Sequence, residues 1–198
     1  MSIEGMVERA VELREKGLST REICQELHLG QSTVEWLLAK QASEPEDRPP
    51  ADVKAGWRSI GVSGLRIRAI AEIMADIILE EQAQHGFEVD VVAGVMANGV
   101  PLGTMLSDIL EIDFAMVRPS REDTAIDFAS NYAGLDGKQV IIVDDVVSSG
   151  STSREVIEFV KQEGGKPVLV MVLINKRAEN EVDGVPLRAL VRARPVGT

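Results

Sequence analysis

The chain holds a single cysteine, Cys24, in 198 residues. An internal disulfide is excluded, and such cysteine usage fits a reducing, cytoplasmic compartment. The two histidines, His28 and His85, stand far apart, and with one thiol they make no His/Cys zinc pattern. No apolar run approaches the roughly 18 residues of a membrane helix, and no N-terminal stretch joins a basic region to an apolar one. A soluble chain with no signal peptide and no membrane partner is therefore expected. Positive charge is scarce: 21 lysines and arginines face 32 acids, for a net charge of −11. That balance disfavours non-specific binding to nucleic acid, so a DNA-binding reading must rest on local geometry. No lysine occurs between Lys54 and Lys138, and no histidine follows His85. Internal repeats and low-complexity tracts are lacking as well.

Apolar residues make up 44% of the chain, enough for a real core. The richest stretch runs from Val140 to Thr152. Val140-Ile141-Ile142-Val143 reads as a strand buried on both faces. Asp144 and Asp145 stand at its carboxyl end, and the small-residue loop Ser148-Ser149-Gly150-Ser151-Thr152 leads into a helix, with Thr152 and Glu155 placed for a capping box. Free backbone N–H groups and the positive end of a helix dipole form a ready anion site. Two acids beside such a site suit the hydroxyls of a sugar, so the stretch points to a sugar phosphate.

Other elements frame it. Residues 65–84 place Ile67, Ile70, Ala71, Met74, Ile77 and Ile78 at three- and four-residue spacing, as in an amphipathic helix. Strands are expected over Val89–Val95, Ile112–Val117, Gln139–Asp144 and Val168–Ile174, with helices over Pro101–Leu110 and 153–163 between them. This alternation predicts an α/β fold with a mainly parallel sheet, whose ligands bind outside the carboxyl ends of strands. A second loop, Met96-Ala97-Asn98-Gly99-Val100-Pro101, also follows a strand and opens a helix, another backbone anion site. The segment Leu187–Val196, with three arginines among apolar residues, fits an edge strand or a basic patch.

The N-terminal residues read differently. Met6, Val7, Ala10, Val11 and Leu13 share one helical face, and Gly17 is a natural stop. Ser19 and Glu22 form a capping box for a second helix with Ile23, Cys24 and Leu27 inward. A short break at His28-Leu29-Gly30 precedes a third, capped by Ser32 with Glu35 and carrying Val34, Leu37 and Leu38. Three short helices with a tight turn before the last are a helix-turn-helix candidate. The third helix would present Gln31, Ser32, Thr33, Glu35 and Trp36, and Arg21 would reach the DNA backbone. Residues 1–41 carry five basic and seven acidic side chains, weak electrostatics for DNA. A docking module is the alternative there. Residues 42–56, polar and with three prolines, read as a linker, leaving 57–198 as the second domain.

The 140–152 pattern resembles the phosphoribosyl pyrophosphate (PRPP) signature of type I phosphoribosyltransferases. The resemblance implies that Asp144 and Asp145 hold the ribose hydroxyls and that Ser148, Ser149, Gly150, Ser151 and Thr152 hold the 5′-phosphate. The second loop is similar to the pyrophosphate loop of orotate phosphoribosyltransferases, which assigns Ala97, Asn98 and Gly99 to the pyrophosphate, with Arg118 matching the leading arginine of the mobile hood. The hood, Arg118 to Gly137, otherwise departs: Pro119, Glu122 and Thr124 stand where those enzymes have cations, and Asn98 stands where they tend to have lysine. A pyrophosphate leaving group needs preorganised cations, so the domain is read as one that binds PRPP, with Mg2+ as an accompanying ion, but has no catalytic residues and is not an enzyme.

The order of parts resembles archaeal helix-turn-helix regulators of sugar catabolism that carry an orotate phosphoribosyltransferase-like domain, the GfcR type. That resemblance implies a homodimer that binds promoter DNA and responds to PRPP or a related phosphorylated sugar or nucleotide. An active orotate or purine phosphoribosyltransferase with an appended helical module is the alternative.

Overall fold

The computed structural model describes residues 3–40, 52–119 and 126–194. They fall into two compact units, one of the residues up to Gly56 with Ala193 and Arg194, the other Trp57–Arg192.

The first unit holds three helices: α1 (Ile3–Glu15), α2 (Thr20–Leu27) and α3 (Gln31–Lys40). Gly17, at φ +87°, ends α1 as expected, because only a left-handed residue lets the Gly17 and Leu18 N–H groups turn back to the Arg14 and Leu13 carbonyls. Ser19 and Glu22 make the expected capping box on α2. His28 takes the left-handed C-terminal position of α2 at φ 52°, where a side chain is strained and glycine is favoured. Ala10, Leu13, Ile23, Leu27, Leu29, Val34 and Leu37 close into one core. The expected Ser32–Glu35 cap on α3 does not form. The helix starts earlier, with the Gly30 carbonyl accepting from Val34 N–H, so Ser32 already lies inside it. The Glu35 carboxylate accepts instead from Gln31 Nε2 at 2.8 Å.

The second unit contains α4 (Arg58–Gly61), α5 (Gly64–His85), β1 (Val91–Val95), α6 (Gly99–Leu110), β2 (Asp113–Arg118), β3 (Asp127–Phe128), β4 (Gln139–Val147), α7 (Ser151–Gln162), β5 (Lys166–Asn175), β6 (Glu181–Val182) and β7 (Val185–Arg192). Seven strands form one sheet in the order β3-β2-β1-β4-β5-β7-β6. The pairs β1–β2, β1–β4, β4–β5 and β5–β7 are parallel, and the two-residue β3 and β6 pair antiparallel at the edges. The expected mainly parallel α/β sheet is thus observed. β3 adds a strand to what the sequence presented as a plain loop. The C-terminal arginine segment is a strand, as one of the two alternatives had it: from Leu187 to Arg192 it pairs with β5, while the two-residue β6 pairs only Val185 and Pro186 on the other side; Arg188 Nε donates to Glu81 Oε1 of α5 and Arg192 Nη1 to the Ala178 carbonyl.

Period-two alternation decides which residues face which helix layer. Val140 and Ile142 of β4, and Val170 and Val172 of β5, pack on Val156, Ile157 and Val160 of α7. Ile141, Val143, Leu169 and Met171 face the opposite way, onto Ala71, Met74 and Ile78 of α5 and Leu102 and Leu106 of α6. Both faces are apolar because both are covered, as parallel sheets require. Each fully buried Ile or Leu contributes about 1.5–3 kcal/mol of transfer free energy.

Candidate functional site

β1 and β4 are hydrogen-bonded neighbours, but the chain leaves them in opposite directions. From β1 it passes through α6 to β2 on one side, and from β4 through α7 to β5 on the other. Such a reversal opens a crevice at the carboxyl ends of the two strands. The two loops singled out in the sequence flank that crevice.

The first loop is Met96-Ala97-Asn98, with a cis peptide between Met96 and Ala97. It feeds α6 at Gly99, which lies hard against β4: a Cβ there would stand 2.2 Å from the Val143 carbonyl oxygen and 3.0 Å from the Asp144 Cα. Glycine is required by this approach, which sets the start of α6 beside the acids. Asn98 Nδ2 donates to Asp145 Oδ2 at 3.1 Å.

The second loop is Ser148-Ser149-Gly150. Gly150 precedes α7 at φ +80°, and no side chain caps the helix. The expected Thr152–Glu155 capping box is absent because α7 begins at Ser151, which leaves Thr152 inside the first turn. The loop ties itself together: the Ser149 and Ser151 hydroxyls are 3.0 Å apart, and Ser151 N–H donates to Ser149 Oγ at 3.3 Å. Ser149 and Ser151 are exposed, Ser148 and Thr152 half-buried and Gly150 buried.

Two arginines brace this loop from behind. Arg177 Nη1 donates to the Ser149 carbonyl at 2.6 Å and Arg154 Nη2 to the same oxygen at 3.3 Å. Asn175, 1% exposed at the end of β5, holds Arg177 in place. Its Oδ1 accepts from the Arg177 backbone N–H at 2.7 Å, while its Nδ2 donates to the Glu179 carbonyl at 3.0 Å. None of these residues was singled out from sequence. The available signal was the position of Asn175 at the carboxyl end of the strand next to β4.

Strand β4 runs on to Val147, so both acids belong to the strand rather than following it. Asp144 is half-buried, and its carboxyl is withdrawn from water. That burial, with the Asp145 carboxylate next to it, holds the Asp144 carboxyl well above the ordinary range. Asp145 is 6% exposed. Its Oδ2 accepts from Trp57 Nε1 at 2.7 Å as well as from Asn98, and its Oδ1 from the Val146 N–H at 2.9 Å. Trp57, to which the sequence assigned no role, is therefore part of the site.

Arg118 ends β2, exposed and in register with Asp127 of β3. Glu122 and Thr124, on which the reading of a cation-poor hood depends, lie outside the described residues. Among the described residues no group of three or more His, Cys, Asp or Glu is arranged to hold a metal ion, and no helix is long and apolar enough to cross a membrane.

In the first unit, Gln31 and Ser32 are exposed at the start of α3. Thr33 is not: it is 7% exposed, and its hydroxyl finds no hydrogen-bond partner among the described residues. Its assignment to a DNA surface is corrected accordingly, because position 33 belongs to the inward stripe with Val34 and Leu37. Trp36 is half-buried against the helical core, with the Lys40 ammonium 4.7 Å from its ring centre. Arg21 is half-buried near the start of α2.

Known proteins match this chain over both units. The family model for a phosphoribosyl transferase domain matches residues 56–187. "Transcriptional regulator GfcR" of Thermoplasma acidophilum is 46% identical over 196 residues, covering 99% of this chain and 98% of that protein. The protein of the same name from Picrophilus torridus is 43% identical over 191 residues, covering 96% and 97%. Among solved structures, orotate phosphoribosyltransferase from Aeropyrum pernix superposes with a TM-score of 0.56 at 24% identity, over 73% of this chain and 81% of that one. Adenine phosphoribosyltransferase from Rhodothermus marinus gives 0.57 at 22% identity, over 78% and 96%. At such identities the structures establish likeness of fold alone.

Proposed function

Because this chain belongs to the GfcR family of transcriptional regulators and carries a phosphoribosyl transferase domain, we propose that it binds promoter DNA through α3 and senses PRPP or a related phosphorylated sugar or nucleotide in the crevice between β1 and β4. The observation that carries the reading is the crevice itself: two helix N-termini, at Gly99 and Ser151, flank a pair of carboxylates.

A pyrophosphate would lie on the Ala97-Asn98-Gly99 loop with Arg118 at its edge. A 5′-phosphate would accept hydrogen bonds from the backbone and hydroxyls of Ser148, Ser149, Gly150, Ser151 and Thr152. The ribose hydroxyls would donate to Asp144 and Asp145. A Mg2+ ion accompanying the ligand would offset the charge of its pyrophosphate. The sequence supplies no lysine between Lys54 and Lys138 to stabilise a departing pyrophosphate, so the domain is read as a sensor and not as an enzyme.

On the DNA side, Gln31 and Ser32 would contact bases or phosphates, with Arg21 on the backbone and Trp36 at the margin. A homodimer would double these contacts and offset the weak local charge. The ligand acts by linkage: it favours one arrangement of the dimer, and that arrangement changes DNA affinity. The controlled genes would be those of sugar catabolism.

A gel-shift assay at low salt on upstream regions, with and without PRPP and Mg2+, tests the proposal. A shift that PRPP alters requires both units and their coupling. No shift under any condition, together with pyrophosphate release from PRPP and a base, would replace the sensor by an enzyme.

A further inference from the structure

Asp145 is already occupied. A carboxylate offers about four lone-pair positions, two on each oxygen. Both positions on Oδ2 are taken, by Trp57 Nε1 at 2.7 Å and by Asn98 Nδ2 at 3.1 Å, and Oδ1 accepts from its neighbour's backbone at 2.9 Å. A ribose hydroxyl that donates to Oδ2 must displace one of the two side chains.

The two differ in what they are attached to. Asn98 sits between β1 and α6, pinned by the close approach of Gly99 to β4. Trp57 is the first residue of the second unit. Its indole is half-buried, and it lies so close to Gly61 that a Cβ there would stand 2.9 Å from the ring. Five residues earlier in the chain, Asp52 accepts from the Gly30 N–H at 2.5 Å, the residue from which α3 starts. Residues 52–57 are thus anchored at one end to the head of the DNA-facing helix and at the other to the ribose acid, each anchor being a hydrogen bond to a carboxylate.

We propose that Trp57 is the positioning residue through which ligand binding is read. Its indole N–H holds Asp145 Oδ2 in the ligand-free protein, a ribose hydroxyl takes that place when the ligand binds, and the released Trp57 frees the strap that leads to Asp52 and α3. This rests on the effector site proposed above. It accounts for a tryptophan N–H spent on the acid that the ligand needs. A hydrogen bond to a carboxylate that must be surrendered is worth roughly tenfold in affinity, so the latch sets ligand affinity as well as response.

The test uses the full-length chain. In a Trp36→Phe background Trp57 is the sole tryptophan, and its emission reports its surroundings. Saturating PRPP with Mg2+ should shift that emission. Trp57→Phe keeps the ring packing but removes the N–H; it should bind PRPP roughly tenfold more tightly by calorimetry, while its DNA affinity no longer responds to PRPP. Gly61→Ala, which pushes the indole from its place without altering it, should reproduce both effects. If PRPP binds the wild-type chain with no change in Trp57 emission, and Trp57→Phe keeps the wild-type affinity and DNA response, the latch is wrong while the effector site stands. If PRPP fails to bind the wild-type chain at all, the effector reading falls and takes the latch with it.

Discussion

The substitution Gly99→Ala puts the closest contact of the site under direct strain. A methyl group at this position would stand 2.2 Å from the Val143 carbonyl oxygen and 3.0–3.1 Å from the Asp144 Cα and Val143 carbonyl carbon. All three atoms are backbone of a strand paired on both sides, so none can step aside as a flexible side chain would. Relief requires α6 to move outward by about 1 Å, against the packing of Leu102 and Leu106, both fully buried, and of Gly103, where a Cβ would stand 3.0 Å from the Phe114 ring and 3.2 Å from the Gly94 Cα. Overpacking of this kind costs about 1–3 kcal/mol, and the helix propensity gained by replacing glycine returns less than about 1 kcal/mol. A net loss of about 1–2 kcal/mol corresponds to a fall in Tm of roughly 2–8 °C for a unit of this size. Thermal melts followed by circular dichroism give the stability and calorimetry with PRPP the affinity; both should fall, since the same shift moves the backbone N–H groups at the start of α6 out of the crevice. Gly64→Ala, where a Cβ meets nothing within 4 Å, is the control and should be neutral or mildly stabilising. If Gly99→Ala melts with the wild type and binds PRPP as well, α6 does not rest on β4 in the way described, and the placement of the Met96-Ala97-Asn98 loop beside the acids is refuted.

Three further outcomes are expected. The Asp144 carboxyl is raised by burial and by the Asp145 charge, so its contribution to stability is fully present below the ordinary aspartate value of about 4 and is lost as pH rises through the raised value. Asp144→Asn should therefore raise the Tm at neutral pH, with the gain vanishing toward pH 4; a constant difference across that range contradicts the assigned environment. Thr33→Val removes a buried hydroxyl without a partner among the described residues and should leave DNA binding intact while stabilising the helical unit by about 1 kcal/mol, whereas Gln31→Ala should weaken DNA binding in gel-shift titrations. His28→Gly relieves a left-handed side chain at φ 52° and should stabilise the same unit by about 1 kcal/mol, measured by chemical denaturation.

The sequence by itself determined the periodic features. Strands buried on both faces, the alternation of helix and strand, the helical stripe along α5 and the Ser19–Glu22 box all follow from the spacing of apolar residues and from local capping chemistry, which act between near neighbours in the chain. The two loops and the acid pair were legible for the same reason, as short patterns at the end of a strand. The tertiary structure alone decided what meets at a distance. Trp57 reaches Asp145 across 88 positions and Arg177 reaches Ser149 across 28; no local periodicity encodes such contacts, which arise where the sheet brings β4 beside β1 and β5. It also decided the local choices that sequence left balanced. Gly150 rather than Thr152 starts α7, because a left-handed glycine turns the chain before a hydroxyl can cap it. Thr33 is buried, because the start of α3 at Gln31 places position 33 on the inward face with Val34 and Leu37. Arg188, alternating with apolar residues, became part of a strand paired with β5, its guanidinium received by Glu81 of α5.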